Sequence, residues 1–277
     1  MNKLRFYIFF LLVSQLSVQQ LVGQNSKSKH YILDSKKASI VYNKLFQYGI
    51  ADAFVGGLYK GSLSLKDLKL KGDFGLGAPD LLDGELTILD GKVYQTKATG
   101  ETIESDNEFK TSLSFVTFFR PDINLTIEKR TEEKLLLYKI SQALSNKNAM
   151  YSIKISGNFY NVRTRAFPPV KNEPFPVLTS IFDTQKIFDF PEKEGVLVGY
   201  YIPEYLNGIN VTGFHFHFLS TDRKYGGHVL DFIGENLNIE IAELKGFELE
   251  TSRDPDFQNF NFNIKDNKDL KRIEQGY

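Results

Sequence analysis

Apolar and polar residues follow two different periods along this chain. Over residues 36–54, Ile40, Val41, Leu45, Phe46, Ile50 and Phe54 recur at steps near three and four. That spacing predicts a helix, with Ser35 as N-cap and Gly56-Gly57 as its stop. From residue 62 to 98 the rhythm shortens and turns interrupt it. Asp83-Gly84 and Asp90-Gly91 bracket Glu85-Leu-Thr-Ile-Leu89, which reads as a strand with its partner at residues 92–97. Residues 112–120 and 125–129 predict further strands. A second helix is expected over 132–144 with Thr131 as N-cap. Residues 151–164 return to strand pattern, and four prolines then crowd residues 168–176. Beyond them, 195–202, 209–219, 228–233, 237–242 and 247–250 read as consecutive strands, before a polar tail from Ser252.

Many strands, few helices and no regular strand–helix–strand alternation imply an α+β fold. It is expected to be β-rich, with mixed or antiparallel sheets in two packed subdomains. The proline stretch sets their boundary, giving residues 25–167 and 168–277. The abundance of Phe (24) and Tyr (14), with no Trp, agrees with a strand-rich chain. Charges balance at 34 basic and 34 acidic residues, so no basic excess exists for nucleic acid or anionic lipid to exploit.

The N-terminus reads as a targeting segment. Lys3 and Arg5 precede an apolar run at 6–13, and polar residues begin at Ser14. A cut near Gly23 or Gln24 would make residues 1–24 a secretory signal peptide and the mature protein secreted or periplasmic, free of the membrane. An uncut membrane anchor is the alternative, disfavoured by the short apolar run. The chain has no Cys, hence no lipoprotein anchor and no disulfide.

Candidate chemistry concentrates in the histidines. The chain has four, and His215, His217 and His228 fall close together, while His30 sits in the N-terminal spacer. Within Gly213-Phe-His-Phe-His-Phe218, alternate residues share a strand face, so His215 and His217 point one way and the phenylalanines the other. A turn at 220–227 would bring His228 opposite them. Three imidazoles with open positions beside them suit a catalytic zinc ion or another transition metal. Isolated histidines, by contrast, are mostly surface or satisfied core residues. Cupin-like enzymes and exported carbonic anhydrases also carry a His-x-His strand with a third histidine. The cupin pattern expects a glutamate where Thr221-Asp222 stand here, and the carbonic anhydrase pattern spaces its third histidine farther away. A metal-binding protein without turnover is a further alternative.

Several motifs run in a common order. They are Gly72-Asp-Phe-Gly-Leu-Gly77, Leu82-Asp-Gly-Glu-Leu86, Val93-Tyr-Gln95, Thr164-Arg165 before Pro168, Glu194-Gly-Val-Leu-Val-Gly199, and the histidine stretch within residues 208–232. Together they resemble the acetolactate decarboxylase family from about residue 55 to the C-terminus. The resemblance implies decarboxylation of 2-acetolactate, a small 2-hydroxy-3-keto acid, to acetoin and carbon dioxide. It implies Zn2+ held by His215, His217 and His228, no organic cofactor, and a homodimer. Such a metal would chelate the ketone and hydroxyl oxygens and stabilise the enolate. Glu85 matches the family's active-site glutamate, with a role in metal-site organisation and proton handling. Glu274 is the counterpart of a second glutamate near the C-terminus. Arg165 matches the active-site arginine, whose fork can clamp a carboxylate. Arg163 is expected to share its strand face. Without the resemblance, Glu85, Arg163, Arg165 and Glu274 read as solvated strand, edge or tail residues. Two positions depart from the family pattern: Ala78 replaces a common threonine, and Phe216 replaces a frequent polar residue.

Overall fold

The computed structural model describes residues 40–262. The signal segment, Ser35, His30 and Glu274 lie outside the described residues.

The helix expected over 36–54 is corrected. Its described part is a strand, Leu45–Tyr48, followed by a five-residue helix, Ala51–Val55, entered through Ile50. The four strand residues are all buried, because neighbours cover both faces. A doubly covered strand loses its polar alternation, and its apolar run then imitates a buried helix. Gln47 is tolerated inside because its Nε2 donates to Gly49 O at 2.8 Å and Ile209 O at 2.6 Å. The second helix, Glu133–Ala143, forms as expected, but Thr131 does not cap it. Thr131 lies in the short strand Thr131–Glu132, and its hydroxyl donates to Lys129 O.

Two sheets carry the fold. In the first, the strand order is Phe247–Glu250, Leu45–Tyr48, Lys110–Thr117, Phe74–Pro79, Glu85–Leu89, Lys92–Thr96 and Thr102–Glu104, with Leu63–Ser64 also paired to Lys110–Thr117. Leu45–Tyr48 runs parallel to Phe247–Glu250, and the other pairs are antiparallel. The second sheet contains Met150–Ala166, Lys186–Ile202, Gly213–Ser220, Gly226–Leu244 and Ile123–Ile127, all antiparallel. Met150–Ala166 also pairs with Gly226–Leu244, which closes four of these strands into a ring. The proline stretch therefore lies between two strands of one sheet, Met150–Ala166 and Lys186–Ile202, which pair with each other from Tyr151↔Tyr201 to Ala166↔Lys186.

The ring encloses a core of Ile153, Ile155, Phe159, Leu197, Phe218 and Phe232, which Leu136 and Ile140 of the helix extend. A second core joins the two sheets, with Leu76 and Phe115 from the first and Val198, Tyr200 and Leu219 from the second. The buried Tyr200 hydroxyl crosses that boundary and lies 3.1 Å from Phe74 O and 3.3 Å from Phe115 O. This docking brings the strand that carries Glu85 against the strands that carry the histidines.

Candidate active site

The histidines lie on the hairpin formed by Gly213–Ser220 and Gly226–Leu244. Its connection is built by Ser220, whose Oγ donates to Asp222 Oδ1 at 2.6 Å and accepts from Tyr225 N at 3.0 Å. Pairing then sets His217 directly opposite His228. Strand alternation puts His215 beside His217, while Phe216 and Phe218 enter the ring core. Phe216 is thus a packing residue.

All three imidazoles are buried, and one ring nitrogen from each lies within 4.8 Å of the others. His215 Nε2 and His228 Nδ1 are 3.1 Å apart. Burial disfavours the charged imidazolium, so His215 is held well below its usual range and His217 is pushed down to about 3. Both are neutral at pH 7, the state in which imidazole ligates a metal. His217 Nδ1 lies 2.7 Å from Leu86 O. A carbonyl only accepts, so Nδ1 carries the proton and Nε2 keeps its lone pair toward the centre. Three buried, convergent imidazoles, one with a fixed tautomer, fit a divalent transition metal.

Glu85 and Arg165 meet at the same point. Arg165 Nη1 donates to Glu85 Oε1 at 2.6 Å, and both side chains are buried. Glu85 Oε2 lies 3.5 Å from His217 Nε2. Arg165 reaches this place because its strand pairs with that of His228, residue against residue. Gly227 allows the approach: its φ is +119°, and a Cβ there would stand 2.8 Å from Arg165 O. Arg163 and Arg165 stand two apart in an unbroken stretch of pairing with Lys186–Ile202, opposite Asp189 and Ile187, so the strand keeps its alternation there. Their surroundings differ: Arg163 is exposed beside Asp189, at 3.5 Å, whereas Arg165 is buried against Glu85.

A small cavity of about 30 Å³ opens on this cluster. Glu85, Arg165, His215 and His217 form its polar end, and Leu76, Ala78, Leu82, Phe115, Phe167 and Val211 line the rest. Ala78, the departure from the family pattern, therefore sits in the cavity wall. The apolar wall and the Leu86 carbonyl escaped sequence reasoning. The wall gathers single residues from distant segments, and a backbone acceptor leaves no mark in residue identity. Only the Glu85–Leu86 adjacency hinted that one strand serves both.

Comparisons with known proteins identify the family. The family model described as alpha-acetolactate decarboxylase matches residues 45–264. Alpha-acetolactate decarboxylase of Brevibacillus brevis is 37% identical over 215 residues, covering 78% of this chain and 75% of that protein. The Bacillus subtilis (strain 168) relative of the same name is 31% identical over 233 residues, covering 84% of this chain and 91% of its own length. The crystal structure of alpha-acetolactate decarboxylase from Bacillus subtilis strain 168 superposes with a TM-score of 0.81 at 31% identity, covering 84% of this chain and 99% of that one. A match of this extent in sequence and in fold places the chain in the alpha-acetolactate decarboxylase family, as an enzyme of the decarboxylase type.

Proposed function

We propose that this protein decarboxylates 2-acetolactate to acetoin and carbon dioxide in a zinc-dependent reaction. The observation that carries the reading is the meeting of three buried histidines with the Glu85–Arg165 pair at one end of an apolar cavity. When bound by His215, His217 and His228, zinc would supply Lewis acidity toward the ketone and hydroxyl oxygens, where negative charge develops as carbon dioxide leaves.

The chain's own groups do the rest. Arg165 fixes Glu85 Oε1 through Nη1, and its planar fork offers further N–H donors that steer the substrate's carboxylate. Glu85 Oε2 faces the histidine centre and handles the proton that the product carbon must receive. The apolar wall excludes water and accommodates the substrate's methyl groups. Glu274 is a second proton-handling group in this reading. We further read residues 1–24 as a secretory signal, the mature protein as secreted or periplasmic, and the active form as a homodimer.

The test uses the chain from Gln24 onward. Bound zinc and acetoin formation from racemic acetolactate are measured beside His217→Ala. Near-stoichiometric zinc and acetoin formation that disappears in the variant are expected. Bound zinc with no acetoin would overturn the substrate, and absence of both would overturn the site.

A further inference from the structure

Glu85 is delivered by a turn that does not hold itself. Leu81 and Leu82 adopt φ of 56° and 59°, and Gly84 follows at 97°. Left-handed backbone costs a leucine roughly 1–2 kcal/mol, so such a turn persists only where its surroundings fix it. Its first half is tied down by backbone: Leu81 N donates to Tyr59 O and Val170 N donates to Leu81 O, both at 2.8 Å. Asp80 Oδ1 adds a bond from Gly61 N at 2.6 Å.

The second half, which leads into Glu85, is held by Gln95. Gln95 is buried, and its Nε2 donates to Asp83 O at 2.5 Å and to Asp83 Oδ2 at 3.0 Å. Both partners are acceptors, which settles the orientation of the amide. The turn lies against the strand of Gln95, since a Cβ on Gly84 would stand 2.1 Å from Thr96 O. Gln95 also faces Leu86 across the antiparallel pair, and Leu86 O orients His217. This one side chain therefore borders both backbone points that aim the Glu85 carboxylate and the His217 ring, without lining the cavity itself.

We propose that Gln95 is a positioning residue for the decarboxylation, locking the Asp83–Gly84 turn so that Glu85 meets Arg165 and faces His217. The proposal rests on the function proposed above. Three variants test it: Gln95→Leu, Gln95→Glu, and Gln95→Glu combined with Asp83→Asn. In Gln95→Leu, kcat is expected to fall about 10–100-fold, the range for lost outer hydrogen bonds around a metal site. KM and bound zinc should stay near wild type. Gln95→Glu sets two carboxylates together and should be nearly inactive at pH 8. It should recover as pH falls toward 5, where the protonated replacement can donate again. The double variant restores the side-chain bond in reverse but leaves Asp83 O without its donor, so it should regain about tenfold over Gln95→Glu and stay below wild type.

A crystal structure of Gln95→Leu supplies a readout independent of turnover: the Arg165 Nη1 to Glu85 Oε1 distance should lengthen from 2.6 Å. An intact ion pair would overturn the positioning role, even if the wild type made no acetoin and the function reading failed by itself. Wild-type kcat in Gln95→Leu would overturn it too. So would activity that falls only in step with zinc content, with no recovery in the double variant. If Gln95→Leu does not fold, the other two variants decide.

Discussion

Arg165 and Glu85 are a desolvated ion pair, and such pairs are most vulnerable when one partner is removed. The bond at 2.6 Å offsets the cost of burying both charges. Glu85→Gln keeps the shape but leaves a guanidinium buried against a neutral amide. It is expected to cost about 3 kcal/mol in urea unfolding. It should also cut acetoin formation by at least about a hundredfold if, as proposed, this carboxylate handles the proton. A variant with wild-type turnover would remove Glu85 from the chemistry. His217 shows the opposite economy: burial keeps it neutral, so the polar end of the cavity presents lone pairs to a cation instead of adding positive charge beside Arg165.

The helix Glu133–Ala143 illustrates how an element can carry a built-in cost. An acid in the first turn normally suits the helix dipole. Glu133, however, is half-buried against Asp231 with Lys134 beside it, and burial together with the neighbouring carboxylate pushes it up to about 8. The folded state therefore binds this proton more tightly than the unfolded chain. The stability it contributes is fully present below the unfolded value near 4.5 and is lost as pH rises through about 8. Glu133→Gln should match wild type below pH 4.5 and show the higher Tm above pH 8. Equal Tm values at pH 9 would refute the assignment.

Legibility in the sequence followed the same element-level physics. The His215–His217–His228 hairpin was readable because an exposed-type alternation survives in Phe-His-Phe-His-Phe and a well-built turn follows it. The strand Leu45–Tyr48 was not, because burial on both faces erased the period. Arg165 could be matched by motif, yet its burial, against the exposure of Arg163, depends on the approach of Glu85 from the other sheet, which residue types do not announce. The Leu86 carbonyl belongs to the backbone and was invisible until pairing was known.

Taken as a whole, the molecule assembles its site from both sheets. Glu85 and the Leu86 carbonyl come from the first, and Arg165 and the histidines from the second. Neither sheet alone holds the constellation, so the quality of the site depends on the core around Leu76, Val198 and Tyr200 that docks them. Substitutions that loosen this core act on catalysis at a distance, through the geometry of Glu85 against His217.

The parallel pairing of Leu45–Tyr48 with Phe247–Glu250 joins the first described strand to the last. Closing so long a loop is slow and entropically demanding, and high contact order delays folding. A growing chain cannot complete this sheet until residues 247–250 have been synthesised and have emerged. Until then, one side of Leu45–Tyr48 remains an open edge, the kind of surface that recruits other strands. A chain truncated before residue 247 should therefore aggregate instead of folding, which light scattering during refolding would register. The first sheet is thus sealed last, by the strand farthest along the described chain.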